Sequence, residues 1–284
     1  MKNMILFVSD TGYADMTKVC LLSLLEQHTS ADIILHTENV DLYADIPGVD
    51  VRNITFKTPV LYNPGGIHLT VPNKDMLLYR LTLLDQYKYE YDKILLMDVD
   101  TLTLENFDEL FDLDDDHIHG YDHYTQHSQA LKRMKKDTLC NSEIYFNSGV
   151  LLLPSKQLKR FNLVAEFFRE MYLRSEHYVC PEQDLLNVLF DDVKSCIPKR
   201  YNYSCTNCKM MDSIKVIHYL AATKPNKVSL IDMLIDPSIY TEYTAHIVKY
   251  RKYISNEYFT SVHERINELH KFITDNNVTN FLRV

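Results

Sequence analysis

Short, uninterrupted apolar runs recur along the first part of the chain, and each stops at a polar residue. Met4 to Val8 is the first, and others lie within DIILHT (32–37) and DKILLMD (92–98), while VDVRNITF (49–56) reads as a further strand. Runs of this length without alternation read as strands buried on both faces. Helical stripes lie between them. One comprises Val19, Leu21, Leu22, Leu24 and Leu25 in the segment 17–26. Another carries Met76, Leu77, Tyr79, Leu83 and Leu84, with Asn73 as its cap and an end near Tyr87. Strand and helix alternating from the start predict an α/β fold with a mostly parallel, doubly wound sheet.

YNPGG (62–66) has the composition of a turn, and HIHGYD and SGVLLLP supply further strands. Leu163 to Arg174 and Gln183 to Asp191 read as amphipathic helices, and residues from about 240 to 276 as helical, rich in Tyr and charge. A length of 284 residues suits one such domain with an added tail. The expected division is an α/β domain over 1–228 and a C-terminal helical extension over 229–284, packed on the same domain.

With 30 basic and 39 acidic residues the formal net charge is 30 − 39 = −9, which argues against nucleic-acid binding through bulk charge. No run approaches the length of a membrane span. MILFV is too short for a secretory leader and meets Ser9 and Asp10 at once. A reducing, cytoplasmic setting is therefore expected, with the six cysteines as free thiols.

KILLMDVDTL (93–102) places Asp98 and Asp100 at the end of a strand-like run. Two other D-x-D tripeptides, at 112–114 and 114–116, follow a helical segment and read as solvated loop. In an open parallel sheet, ligands bind beyond the carboxyl ends of the strands, where Ser9, Asp10, Asp98 and Asp100 all fall. In an extended segment Asp98 and Asp100 would share one side, with Val99 opposite.

SDTGYA (9–14), LYRL (78–81), DKILLMDVDTL (92–102), YFNSGVLLLPS (145–155), PEQDLLN (181–187) and IHYLAATKP (217–225) together resemble the retaining, nucleotide-sugar-dependent glycosyltransferases of family 8. These are the glycogenin-like enzymes and the lipopolysaccharide galactosyltransferases. The resemblance runs from residue 1 to about 226 and implies a single Rossmann-like, GT-A type nucleotide-sugar-binding domain. It implies that Asp98, Asp100 and His218 bind a divalent metal, Mn²⁺ or alternatively Mg²⁺. Such a cation stabilises charge on a departing diphosphate, and oxygen ligands with one imidazole suit it.

By the same resemblance Asp10, Thr11 and Tyr13 hold the nucleoside, and Val99 is counted among the donor-binding residues. Arg80 and Lys224 lie near the diphosphate, with Arg80 also near the reacting sugar. Asn147, Gly149 and Asp122 contact the donor sugar, Gly149 by letting backbone approach it closely. Gln183, flanked by Glu182 and Asp184, sits beside the anomeric carbon. An amide oxygen is a poor nucleophile, which favours front-face attack over a covalent intermediate. The implied reaction moves a hexose, glucose foremost, from a UDP-sugar to a hydroxyl acceptor. Glycogenin adds self-transfer to tyrosine and a homodimer to these expectations.

Three positions depart from the family pattern: Gly12, Ala221 in place of Gly, and Asn226 in place of Trp. The altered AATKPN loop keeps a catalytically idle UDP-sugar-binding scaffold open as another reading. A galactosyl- or N-acetylhexosaminyltransferase of the same fold is a further one. A nucleotidyltransferase is disfavoured, because SDTGYADMTK makes a poor phosphate loop. Rival metal sites are weaker. His117, His119, His123 and His127 are interrupted by Gly120, and Cys205 and Cys208 lack a second pair. VKYRKYISNEYF (248–259) has mixed charge and reads as packing or dimer surface rather than membrane surface.

Overall fold

The computed structural model describes residues 1–54, 74–122, 132, 139–204, 213–220 and 223–276. The YNPGG turn, Asn73, His123, His127, Cys205, Cys208 and Ala221 lie outside these residues.

The expected strands form, and three short ones that the sequence did not single out join them at 101–103, 194–196 and 216–218. They are β1 (Asn3–Ser9), β2 (Asp32–Thr37), β3 (Asp50–Asn53), β4 (Lys93–Met97), β5 (Thr101–Thr103), β6 (Ile118–Asp122), β7 (Phe146–Pro154), β8 (Lys194–Cys196) and β9 (Val216–His218). The main sheet has the order β3-β2-β1-β4-β7-β6-β8, and β5 and β9 form a separate two-stranded ladder. Strands β1 to β4 run parallel to one another, and β7 runs antiparallel to both β4 and β6.

Side chains alternate between two apolar layers, as the pleat requires. Ile5, Phe7, Leu95, Met97, Val150 and Leu152 face one layer, while Met4, Leu6, Ile94, Leu96, Leu151 and Leu153 face the other. Helices cover both faces, which explains the unbroken apolar runs. Helix α1 (Ala14–Leu25) lies on the first face. On the second lie α2 (Lys74–Tyr87), α3 (Leu163–Arg174) and α4 (Pro181–Leu189).

The C-terminal region divides into α5 (Pro237–Lys249) and α6 (Asn256–Asp275) rather than one continuous helical stretch. Ser255 causes the restart: its side chain accepts a hydrogen bond from the Tyr258 amide, as an N-cap does. Val262, Ile266, Leu269 and Ile273 form the buried stripe of α6 and join the layer that contains Ile5 and Phe7. Each such burial contributes roughly 1.5–3 kcal/mol. Asp15 at the start of α1 accepts from the Ser255 amide (2.9 Å) and hydroxyl (2.6 Å), and Lys18 donates to the Tyr253 carbonyl at 2.9 Å. Within the aromatic segment 248–259, Tyr250, Ile254 and Tyr258 are buried, while Val248 and Lys249 are exposed.

Two helix starts differ from the sequence expectation. A 3₁₀ turn at Thr11–Tyr13 leads directly into α1, so that helix begins at Ala14 rather than at 17. Helix α4 begins at Pro181, where proline's missing N–H costs no hydrogen bond. The cysteines at 20, 140, 180 and 196 are free thiols. Among the described residues no helix is long and apolar enough to cross a membrane.

Candidate active site

From β1 the chain builds outward through β2 and β3, then returns to place β4 on the other side of β1. The crevice beyond the carboxyl ends of β1 and β4 is therefore a topological switch point. Its lining includes Asp10, Tyr13, Arg80, Asp98, Asp100 and Lys224. Because β7 runs against β4, the first residues of β7 arrive at this same edge, and the Asp98 amide donates to the Gly149 carbonyl at 2.9 Å. The β5–β9 ladder pairs Thr101 with His218 and brings the histidine over the two aspartates.

Asp98 and Asp100 do converge, but not by strand alternation. The strand ends at Met97 and the chain turns through 98–100, with the Thr101 hydroxyl donating to the Asp98 carbonyl at 2.8 Å. The turn overrides the expected extended geometry, and Val99 borders the crevice while packing against the apolar layer that holds Ile5 and Phe7. His218 Nε2 lies 3.2 Å from Asp100 Oδ1 and 3.5 Å from Asp98 Oδ2. Ligand atoms of these three residues all lie within 4.8 Å of one another, the spacing a metal ion needs.

Two cations flank the group. Arg80 Nη1 donates to Asp98 Oδ1 at 2.6 Å, and the Lys224 ammonium pairs with Asp100. Burial opposes charge on His218, but Asp100 and Asp98 overcome it and raise its pKa to about 9. Burial also opposes ionisation of Asp98, yet Arg80 and then His218 hold it well below the usual carboxylate range.

Gly149 is needed for a reason the sequence did not disclose. A Cβ there would fall 1.9 Å from His218 Cε1. The imidazole ring takes up the space that a Cβ would need. Gly12 has a tighter than usual setting too, since a Cβ there would meet Asp10 Oδ1 at 3.1 Å.

Behind the three charged residues stands a hydrogen-bonded polar wall. Gln183 Oε1 accepts from the Ser148 amide (3.0 Å) and from Asn147 Nδ2 (3.1 Å). Gln183 Nε2 donates to the Tyr145 hydroxyl at 3.0 Å, and Tyr145 donates to Asp184. The other oxygen of Asp184 accepts from the amides of Val179 (2.7 Å) and Cys180 (2.8 Å), so this carboxylate anchors the entry to α4. Asn187 straps α4 to β7 through the Phe146 amide (2.8 Å) and carbonyl (2.9 Å). Asn202 completes the wall, between His218 Nδ1 (2.9 Å) and Asn147 Oδ1 (3.0 Å).

Glu182 is buried and approaches Arg80 Nε at 3.1 Å without hydrogen-bond alignment, and neither of those two atoms has another hydrogen bond among the described residues. Burial pushes this carboxyl up to about 7, while Arg80 pulls the other way. Among the nucleoside candidates, Asp10 lines the crevice and the Tyr13 ring lies under the Lys224 ammonium, 5.1 Å from its centroid. The Thr11 amide and hydroxyl reach Glu38 at 3.1 and 3.3 Å. Asp122 accepts from the Tyr145 amide at 3.2 Å, at the far end of the wall.

Tyr145, Ser148, Asn187 and Asn202 were not singled out from the sequence. The first three lie inside motifs that were recognised. Asn202 lies outside them all, and only the backbone path from β8 to β9 brings it to His218. Of the rival metal ligands, His117 Nδ1 pairs with Asp114 at 2.8 Å and His119 Nε2 meets the Asp114 carbonyl at 3.0 Å.

The fold is that of GT-A type glycosyltransferases. The galactosyltransferase LgtC, solved with donor and acceptor sugar analogues, superposes with a TM-score of 0.59 over 78% of this chain and 88% of its own, at 19% identity. The bifunctional glycosyltransferase WbbM gives 0.65 over 93% of this chain and 51% of its own, at 17% identity. Residues 4–227 match the model of Glycosyl transferase family 8, and the chain belongs to that family.

Among curated relatives, a lipopolysaccharide 1,2-glucosyltransferase of Escherichia coli is 27% identical over 169 residues, 52% of this chain and 49% of the relative. Galactinol synthase 1 of Solanum lycopersicum is 28% identical over 121 residues, 40% of this chain and 36% of the relative. The chain thus spans about half or less of the length of the curated relatives it matches.

Proposed function

We propose that this chain is a Mn²⁺-dependent retaining glycosyltransferase that moves glucose from UDP-glucose to a hydroxyl acceptor. The observation that carries the reading is the convergence of Asp98, Asp100 and His218 at the switch point, between Arg80 and Lys224. Two carboxylates and one imidazole suit a hard to borderline divalent cation. Asp98, Asp100 and His218 would hold it, and it would supply Lewis-acid stabilisation of a departing diphosphate.

The chain's own groups support the rest of the reaction. Asp10 and Tyr13 line the part of the crevice that we assign to the nucleoside. Arg80 and Lys224 are fixed cations beside the carboxylates, placed where leaving-group charge would develop. Gln183 Oε1 already accepts two hydrogen bonds, which leaves it little capacity to attack carbon. That favours front-face attack, with the amide dipole stabilising an oxocarbenium-like state. Buried Glu182 lies on the Arg80 side of the wall, and we assign it to holding that guanidinium.

The similarity to a lipopolysaccharide 1,2-glucosyltransferase supports glucose as the hexose. The galactosyltransferase neighbour makes UDP-galactose the comparison donor. The test is UDP release in Mn²⁺ with a panel of UDP-sugars. UDP-glucose turnover that falls about 100-fold or more in Asp100→Ala is expected. No turnover with any donor, or an unaffected variant, would sink the proposal. Intact-mass measurement after incubation with UDP-glucose tests self-transfer, for which Tyr89 and Tyr172 are highly exposed hydroxyls.

A further inference from the structure

Asn202 is fully buried, follows the short turn Lys199–Tyr201, and lies between two parts of the site. Its orientation can be deduced rather than assumed. The Gly149 amide is a donor by nature and points at Asn147 Oδ1, 2.9 Å away. That atom is therefore the Asn147 oxygen, and the Asn202 atom 3.0 Å from it must be the NH₂. The Asn202 oxygen then faces His218 Nδ1 at 2.9 Å, so Nδ1 carries a hydrogen. Nε2 is left directed at Asp98 and Asp100. A second backbone donor, the Ser148 amide, fixes Gln183 in the same manner and makes the wall self-consistent.

We propose that Asn202 is a positioning residue that joins the metal ligand His218 to the donor-sugar wall through the two ends of one amide. Its oxygen sets the ring orientation and tautomer that present Nε2 to the metal. Its NH₂ holds Asn147, and through Asn147 the carbonyl of Gln183. The inference rests on the functional reading above, because it takes the His218 cluster as the metal site and the Asn147–Gln183 face as the sugar site.

The two ends can be separated by substitution. Asn202→Asp keeps an acceptor for His218 Nδ1–H but offers no donor to Asn147. Asn202→Leu removes both. Mn²⁺ binding is measured by the loss of free-ion spin-resonance signal, and UDP and UDP-glucose binding by calorimetry in saturating Mn²⁺. Asn202→Asp should bind Mn²⁺ within about threefold of wild type, yet lose about tenfold or more of the preference for UDP-glucose over UDP. Asn202→Leu should lose about 10- to 100-fold in Mn²⁺ affinity.

A merely structural asparagine would change stability without splitting the two ligands. Circular dichroism checks folding, and if Asn202→Leu does not fold, the near-isosteric Asn202→Asp decides alone. Loss of Mn²⁺ affinity in Asn202→Asp, an unchanged sugar preference in that variant, or unchanged Mn²⁺ affinity in folded Asn202→Leu overturns the inference. Wild-type protein that binds no Mn²⁺, or binds it equally in Asp100→Ala, overturns the functional reading and this inference with it.

Discussion

Gly149 shows how much one missing carbon decides. The imidazole of His218 occupies the volume that a Cβ would need, so the ring can reach both aspartates only over bare backbone. Gly149→Ala should therefore displace His218 and lower Mn²⁺ affinity by about 10-fold or more, an effect comparable to losing an outer-shell partner of a ligand. Spin-resonance titration of the variant checks this, and wild-type affinity would refute it. The glycine was conspicuous in FNSG, but the ring that needs it lies far along the chain. Asp98, Asp100, Arg80 and Lys224 were legible because recognisable motifs carry them. The turn at 98–100 was not legible, because alternation along a strand stops applying where the strand ends.

At the level of elements, β7 matters most to the site. An apolar run does not reveal its direction. Running antiparallel, β7 delivers Asn147, Ser148 and Gly149 to the edge where β1 and β4 end. Helix α4 is then held against it by Asp184 and Asn187. Asp184→Ala would leave the Val179 and Cys180 amides and the Tyr145 hydroxyl without their acceptor, at a cost of about 2–3 kcal/mol. Urea denaturation measures it, and a change under 0.5 kcal/mol, about what an exposed substitution produces, would contradict the anchoring role. The helices themselves were readable from their stripes to within a few residues. Their ends were not, because a 3₁₀ lead-in and a serine cap outweigh periodicity there.

For the molecule as a whole, the two layers on either side of the main sheet are continuous, and α5 and α6 share one of them with β1. We read 1–228 and the helices after it as one cooperative unit on that basis. A buried histidine ties its stability to pH. His36 lies between the hydroxyls of Tyr79 (3.0 Å) and Tyr87 (2.8 Å). Burial first, and Arg52 second, lower its pKa to about 4. The unfolded chain binds this proton near 6.5 and the native one only near 4, so its contribution is complete above 6.5 and is lost as pH falls through 4. The shift corresponds to about 3 kcal/mol. Comparing unfolding free energies at pH 7.5 and 4.5 in wild type and His36→Gln isolates it. Equal pH dependence in the two proteins would rule this histidine out.

The pairing of Thr101 with His218 has a kinetic meaning as well. Strand β4, which leads to the two aspartates, is paired on both sides within the main sheet, whereas this ladder has two strands among the described residues and closes a very long loop. Chain-closure entropy must be met before such a contact is rewarded, so we expect the ladder to form late in folding, which pulse-labelled hydrogen exchange would check by late protection of its amides. The third ligand then joins a site whose first two are already in place. The last part of the fold to form is also the part that completes the candidate active centre, and a bound cation would lock it shut.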